Sequence, residues 1–112
     1  MQNMFSGKVV RGDGYGRKIG FPTVNLDIGE VGLPASGVYF GFAILGDNNY
    51  KAGIVINKDK KIEAHLIGYS GDAYGKIVTL KIEKFLREFK NFDTEKELVE
   101  QITKDIEICS QE

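Results

Sequence analysis

The residues able to do chemistry crowd into one stretch, Gly7 to Asn25, which reads GKVVRGDGYGRKIGFPTVN. It holds Gly7, Gly12, Gly14, Gly16 and Gly20, the cations Arg11, Arg17 and Lys18, and then Pro22, Thr23 and Asn25. Glycine lets the backbone approach a ligand closely and adopt positive φ. Successive backbone N–H groups in such a loop make an anion-binding concavity, and the basic residues beside it favour a polyphosphate. Thr23 and Asn25 are two apart, so on an extended segment they point to one face. Both offer neutral oxygens. Magnesium takes hard oxygen ligands and usually shares them with substrate phosphates, so neutral protein oxygens suffice when the phosphates bring the charge. The loop is not a Walker A loop, because no Gly-Lys-Ser/Thr is present, and no helix pattern follows it as in a dinucleotide fingerprint. The plain structural alternative is a tight β-turn between two strands of a small barrel.

Chemistry outside that stretch is sparse. Glu63 and His65 share one face of an extended run, opposite Ile62, Ala64 and Leu66. Taken alone, Glu63 is a solvent-facing carboxylate. His65 is the one histidine, with no cysteine beside it, which argues against a transition-metal site. It reads as a hydrogen-bonding or packing residue.

The elements that must position these groups are mostly strands. Phe5 to Arg11 feeds the glycine loop, and Phe21 to Asp27 carries Thr23 and Asn25. Gly37 to Leu45 alternates, with Val38, Phe40, Phe42 and Ile44 on one face of a half-buried strand. Tyr50 to Asn57, Lys61 to Ile67 and Tyr74 to Leu86 follow, separated by turn clusters at 46–49, 58–60 and 70–72. In the last strand Val78, Leu80 and Ile82 align. Short strands joined by turns predict an antiparallel barrel or sandwich. The period then changes. Thr94 with Glu97 is a capping-box signature, and Leu98, Ile102, Ile106 and Cys109 fall at helical spacing. One amphipathic helix is expected from about Thr94 to Ile108, its apolar stripe on the barrel.

At 112 residues the chain is expected to be one domain, 1–112, with a modest core. Hydrophobic residues make up 42% and charged residues 28%, and the net charge is -1. That balance argues against non-specific nucleic-acid binding, which rests on neutralising many phosphates. No apolar run approaches the length of a bilayer span, and MQNMFSGK lacks the apolar region of a secretory signal. A lone cysteine, Cys109, cannot form an internal disulfide, so a reducing, cytoplasmic setting is the expectation.

The pattern Gly7-x-Val9-x-x-Gly12-x-x-x-Gly16-Arg17-x-x-Gly20-x-Pro22-Thr23-x-Asn25 resembles the opening of the riboflavin kinase (flavokinase) family. That family uses Gly-x-x-x-Gly-Arg as a nucleotide loop and Pro-Thr-x-Asn to bind magnesium. The likeness continues. Ile62 to Leu66 is similar to the family's Val-Glu-x-His-Leu strand, whose glutamate is the catalytic base. Asp72-Ala73-Tyr74-Gly75 is similar to its Asp-x-Tyr-Gly turn, and Phe85-Leu86-Arg87 to its Phe-Leu-Arg. Phe92, Leu98, Gln101, Ile102 and Asp105 match its C-terminal pattern. The resemblance therefore covers nearly the whole chain. It implies a closed antiparallel β-barrel of about six strands, Greek-key in type, with one C-terminal helix across one end. It implies transfer of the ATP γ-phosphoryl group to the 5′-hydroxyl of riboflavin, giving FMN and ADP. The site residues it implies are Glu63 as base; Gly12, Gly14, Gly16, Arg17, Lys18, Gly20 and Pro22 on the nucleotide; Thr23 and Asn25 on Mg2+; and Asp72, Tyr74 and Arg87 on the flavin. No partner protein, nucleic acid or membrane is implied, and no FAD synthesis is expected of this chain.

Three departures fall on the flavin side. A tight turn, Asn57-Lys58-Asp59-Lys60-Lys61, stands where the family often has an Asn-Pro-Thr or Arg-Pro-Thr loop. Gly68 stands where Asp is common, and Arg87-Glu88-Phe89 replaces Arg-Pro-Glu. Two other readings compete: a regulatory module that binds flavin or nucleotide without turnover, and a small barrel whose ligand is a protein or an oligonucleotide. The acidic balance and the lack of a basic, aromatic surface weigh against the latter.

Overall fold

The computed structural model describes residues 3–12, 18, 20–28 and 32–112. Its strands are β1 (Met4–Val10), β2 (Val24–Asp27), β3 (Gly37–Leu45), β4 (Asn48–Ile56), β5 (Ile62–Leu66) and β6 (Ile77–Arg87). One helix among the described residues, α1 (Glu95–Gln111), follows them. The strands close into a barrel in the order β1-β2-β5-β4-β3-β6, every neighbouring pair antiparallel. Strands β3, β4 and β5 form a meander and β6 returns beside β3, which is a Greek key. Closure leaves no unpaired sheet edge among the described strands.

Alternation decides what faces inward. Phe5, Gly7 and Val9 of β1 are buried between exposed neighbours. Ile62, Ala64 and Leu66 of β5 turn into the barrel, as do Val78 and Leu80 of β6. In β3 the interior positions are Tyr39, Ala43 and Leu45. The face that the sequence marks, Val38, Phe40, Phe42 and Ile44, is therefore the outer one. Both faces of β3 are apolar because Val38 and Phe40 are buried as well, at 2% and 5% exposure. Gly41 sits where a Cβ would run into the Lys81 backbone carbonyl, so only glycine fits beside the irregular pairing of β3 with β6.

The helix begins where expected. Thr94 is extended, and its Oγ1 accepts the Glu97 N–H at 3.2 Å. Glu95 and Glu97 lie in the first turn, where the helix dipole favours acid. The helix does not cross an end of the barrel. It lies along the outer wall over β4, where a Cβ on Gly53 would stand 3.6 Å from Ile106 Cδ1 and 3.8 Å from Cys109 Sγ. Cys109 is fully buried there, and burial together with the Asp105 and Glu112 carboxylates pushes its thiol up to about 11. No helix among the described residues is long and apolar enough to cross a membrane.

Candidate active site

The β2–β5 pairing builds the site. Its register sets Asn25 opposite Glu63 and Val24 opposite Ala64. Since Ala64 faces the core, Asn25 and Glu63 share the outer face. Strand pairing of β2 stops at Val24, because Pro22 has no N–H to give to a ladder. Phe21 to Thr23 is thus not strand, unlike the expectation, and side chains of β5 take its polar groups instead. Thr23 Oγ1 donates to Glu63 Oε1 at 3.1 Å. His65 Nδ1 lies 2.7 Å from the Pro22 carbonyl oxygen, and the imidazole meets Phe21 edge-on at 6.1 Å between centroids.

Two clefts meet at this segment. The first, ≈ 670 Å³, lies between the end of β1 and the 69–74 turn; Arg11, Gly12, Asn25, Asp72 and Tyr74 line it. The second, ≈ 520 Å³, runs between β5 and α1; Glu63, His65, Arg87, Phe92 and Asp105 line it. Thr23 lines both, whereas Asn25 lines only the first and Glu63 only the second. Two clefts that share one hydroxyl suit a group transfer between two bound molecules.

The expected nucleotide residues are placed in part. Gly12 sits so close beneath Asn25 that a Cβ would overlap the Asn25 amide. Gly20 holds φ +95°, a left-handed value that disfavours any side chain. Pro22 lines the first cleft, and Lys18 is exposed. Gly14, Gly16 and Arg17 lie outside the described residues. On the metal side, Thr23 and Asn25 face one cleft with neutral oxygens, and no three of His, Cys, Asp and Glu among the described residues come together as a metal site. A hard cation would have to draw its anionic ligands from phosphates, which fits magnesium on a nucleotide.

The expected flavin residues are not brought together. Asp72 and Tyr74 line the first cleft, where Asp72 Oδ1 accepts the Tyr74 N–H at 2.9 Å and the Arg11 guanidinium lies 4.1 Å from the Tyr74 ring centroid. Arg87 belongs to the second cleft, and its guanidinium is engaged. Nε donates to both Asp105 oxygens, at 3.1 and 3.2 Å, and Nη2 donates to Oδ2 at 2.8 Å. Gln101 Nε2 adds a fourth bond to the same carboxylate at 3.0 Å. This bidentate pair ties the end of β6 to the helix wall. Sequence reasoning gave Asp105 no role, although an acid inside the stripe Leu98, Ile102, Ile106, Cys109 is a signal that a cation must meet it there.

The family described as Flavokinase: Riboflavin kinase matches residues 2–112. The chain belongs to the riboflavin kinase family. Riboflavin kinase of Mus musculus is 37% identical over 115 residues, covering 90% of this chain and 74% of that protein. Among solved structures, a macrolide-efflux protein from Streptococcus pneumoniae superposes with a TM-score of 0.87 at 29% identity, over 96% of this chain but 38% of that one. Riboflavin kinase from Trypanosoma brucei superposes at 0.76 with 21% identity, over 96% of this chain and 77% of that one, and shows the shared fold. The riboflavin kinase barrel with its C-terminal helix, and the phosphotransferase class read from the motifs, both hold.

Proposed function

We infer that this chain phosphorylates riboflavin, passing the ATP γ-phosphoryl group to the 5′-hydroxyl and releasing FMN and ADP. Family membership supports the reaction. The observation that carries the residue roles is the Thr23–Glu63 hydrogen bond at the junction of the two clefts. In this reading ATP lies in the first cleft, with the 12–20 segment, Arg17 and Lys18 on its phosphates. Asp72 and Tyr74 belong there too, by their position, rather than to the flavin. Riboflavin lies in the second cleft, between Glu63 and the helix wall that Arg87 secures.

Thr23 and Asn25 would hold Mg2+, which when bound neutralises phosphate charge and draws the two ends of the transfer together. Glu63 orients the 5′-hydroxyl and accepts its proton as the new O–P bond forms and the bond from the γ-phosphorus to the bridging oxygen of ADP breaks. In a loose transition state that proton moves late, so positioning matters more than basicity. Thr23 donates to Glu63 and so keeps one carboxylate oxygen fixed while the other meets the substrate. We place the reaction in a single domain, 1–112, in a reducing cytoplasm, because one barrel and its helix contain all the described elements and Cys109 is a buried free thiol.

The test is chromatographic separation of flavins after incubation with riboflavin, ATP and magnesium. An FMN peak requiring both ATP and magnesium is expected. Glu63→Gln should cut turnover by roughly 10²–10⁴-fold with an unchanged circular dichroism spectrum. Wild-type turnover in that variant would remove Glu63 as the base, and absence of FMN from the native chain would refute the activity.

A further inference from the structure

We propose that His65 is a positioning residue for the metal and nucleotide side of the site, acting through the Pro22 carbonyl. This rests on the reading of Thr23 as a metal ligand. In the β2–β5 register, Val24 opposite Ala64 is the last pair, so Thr23 and Pro22 run past His65 and Leu66 without ladder bonds. A segment that follows a glycine with positive φ, Gly20, and joins the ladder only at Val24 has little backbone restraint of its own. The His65 ring replaces that restraint. Its Nδ1 is 2.7 Å from the Pro22 oxygen, and its edge packs on Phe21. A carbonyl only accepts, so Nδ1 must carry a proton.

Glu63 and His65, two apart on one strand face, therefore seize consecutive residues: His65 takes the Pro22 carbonyl and Glu63 the Thr23 hydroxyl. With Pro22 fixed, the Thr23 hydroxyl keeps its proton toward Glu63 and its lone pairs toward the first cleft. Without the clamp, Thr23 loses its orientation while Glu63 stays in place on β5. The consequence falls on the magnesium and nucleotide requirement.

Nitrogen-15 NMR of the one histidine reads the clamp directly in the unliganded protein. A proton on Nδ1 is expected; a ring protonated on Nε2 alone overturns the proposal whatever the enzyme does. Three variants complete the test. The Asn side chain can place an N–H near the position of Nδ1, and Gln near that of Nε2. His65→Ala and His65→Gln should shift the Thr23 and Asn25 amide resonances and raise the magnesium concentration for half-maximal turnover roughly tenfold, the lower end for outer-shell partners. His65→Asn should restore both the resonances and the magnesium requirement. Rescue by Gln rather than Asn, or an unchanged magnesium requirement in His65→Ala, overturns the positioning role. If the native chain makes no FMN, the activity reading fails instead, and the tautomer and amide resonances still decide whether the clamp exists.

Discussion

The Arg87–Asp105 pair permits a prediction whose size follows from burial. The Asp105 side chain is 9% exposed and accepts from Arg87 and Gln101; the Arg87 side chain is 24% exposed. Removing one partner of a fully buried pair costs about 3–5 kcal/mol, because the other charge is left uncompensated. Asp105→Ala leaves the more exposed member, which keeps its bond to the Glu88 carbonyl and can turn toward water. It should cost about 2 kcal/mol, below that range. Arg87→Met leaves the less exposed carboxylate with Gln101 alone and should cost about 3 kcal/mol. Replacing both, Arg87→Met with Asp105→Leu, removes the charges together and should cost no more than about 2 kcal/mol, so the pair couples by about 3 kcal/mol. Urea unfolding followed by far-ultraviolet circular dichroism measures all three. For a domain with roughly 5–15 kcal/mol in total, each single loss is conspicuous. Because α1 is one wall of the second cleft, Asp105→Ala should also weaken riboflavin binding more than nucleotide binding. Two additive singles below about 0.5 kcal/mol each would mean a solvated surface pair, and the claim that it secures the helix would fall.

Other expectations concern the first cleft and the buried thiol. Gly12→Ala should push the Asn25 amide aside and raise the magnesium requirement roughly tenfold without changing the melting profile; an unchanged requirement would separate Asn25 from the metal. Thr23→Val keeps the side-chain shape but loses the hydroxyl, and should lower turnover at least tenfold where Thr23→Ser does not, since a hydrogen bond to a charged group is worth about 1.5–3 kcal/mol. Equal rates in the two variants would contradict a shared role with Glu63. Cys109 gives a pH signature. Below its ordinary value of 9.0 the thiol is protonated in folded and unfolded chains alike, and its contribution to stability is complete. Between 9.0 and about 11 only the unfolded chain ionises, so stability falls with rising pH. The loss from this group is on the order of 2–3 kcal/mol, and Cys109→Ala, compared with native protein across the same window by urea unfolding, should lack it. Parallel pH profiles would show that the thiol is not shielded.

What the sequence made legible depended on one-sided burial. Ile62, Ala64 and Leu66 are apolar and Glu63 and His65 are not, so the face of β5 was readable. The stripe at 98, 102, 106 and 109 likewise fixed the inward side of α1. In β3 both faces are apolar, because Val38 and Phe40 are buried on the outer wall while Tyr39 and Ala43 fill the interior. Period-two alternation then cannot say which face looks inward. The extent of β2 was misjudged for a local reason, since Pro22 withholds the N–H that would have carried pairing through Thr23. The split of Asp72 and Tyr74 from Arg87 was invisible for a global one. It depends on which end of each strand opens on which cleft, and that is fixed only when the barrel closes.

Closure also explains why so little sequence carries so much of the site. Asn25 and Glu63 are 38 residues apart in the chain, yet they become direct neighbours through a single antiparallel pairing of a four-residue strand with a five-residue one. Strands this short hold their register only if both faces are specified. The inward set, Val24, Leu26, Ile62 and Ala64, does so on the core side. A slip by one residue would turn Glu63 inward and expose its apolar neighbours, at a cost in buried surface that no surface contact offsets. The outward set, Thr23 to Glu63 and Pro22 to His65, locks the same register from the other side. The polar contacts proposed for phosphoryl transfer thus act with the hydrophobic core: the register that packs the barrel is the one that brings the hydroxyl to the carboxylate.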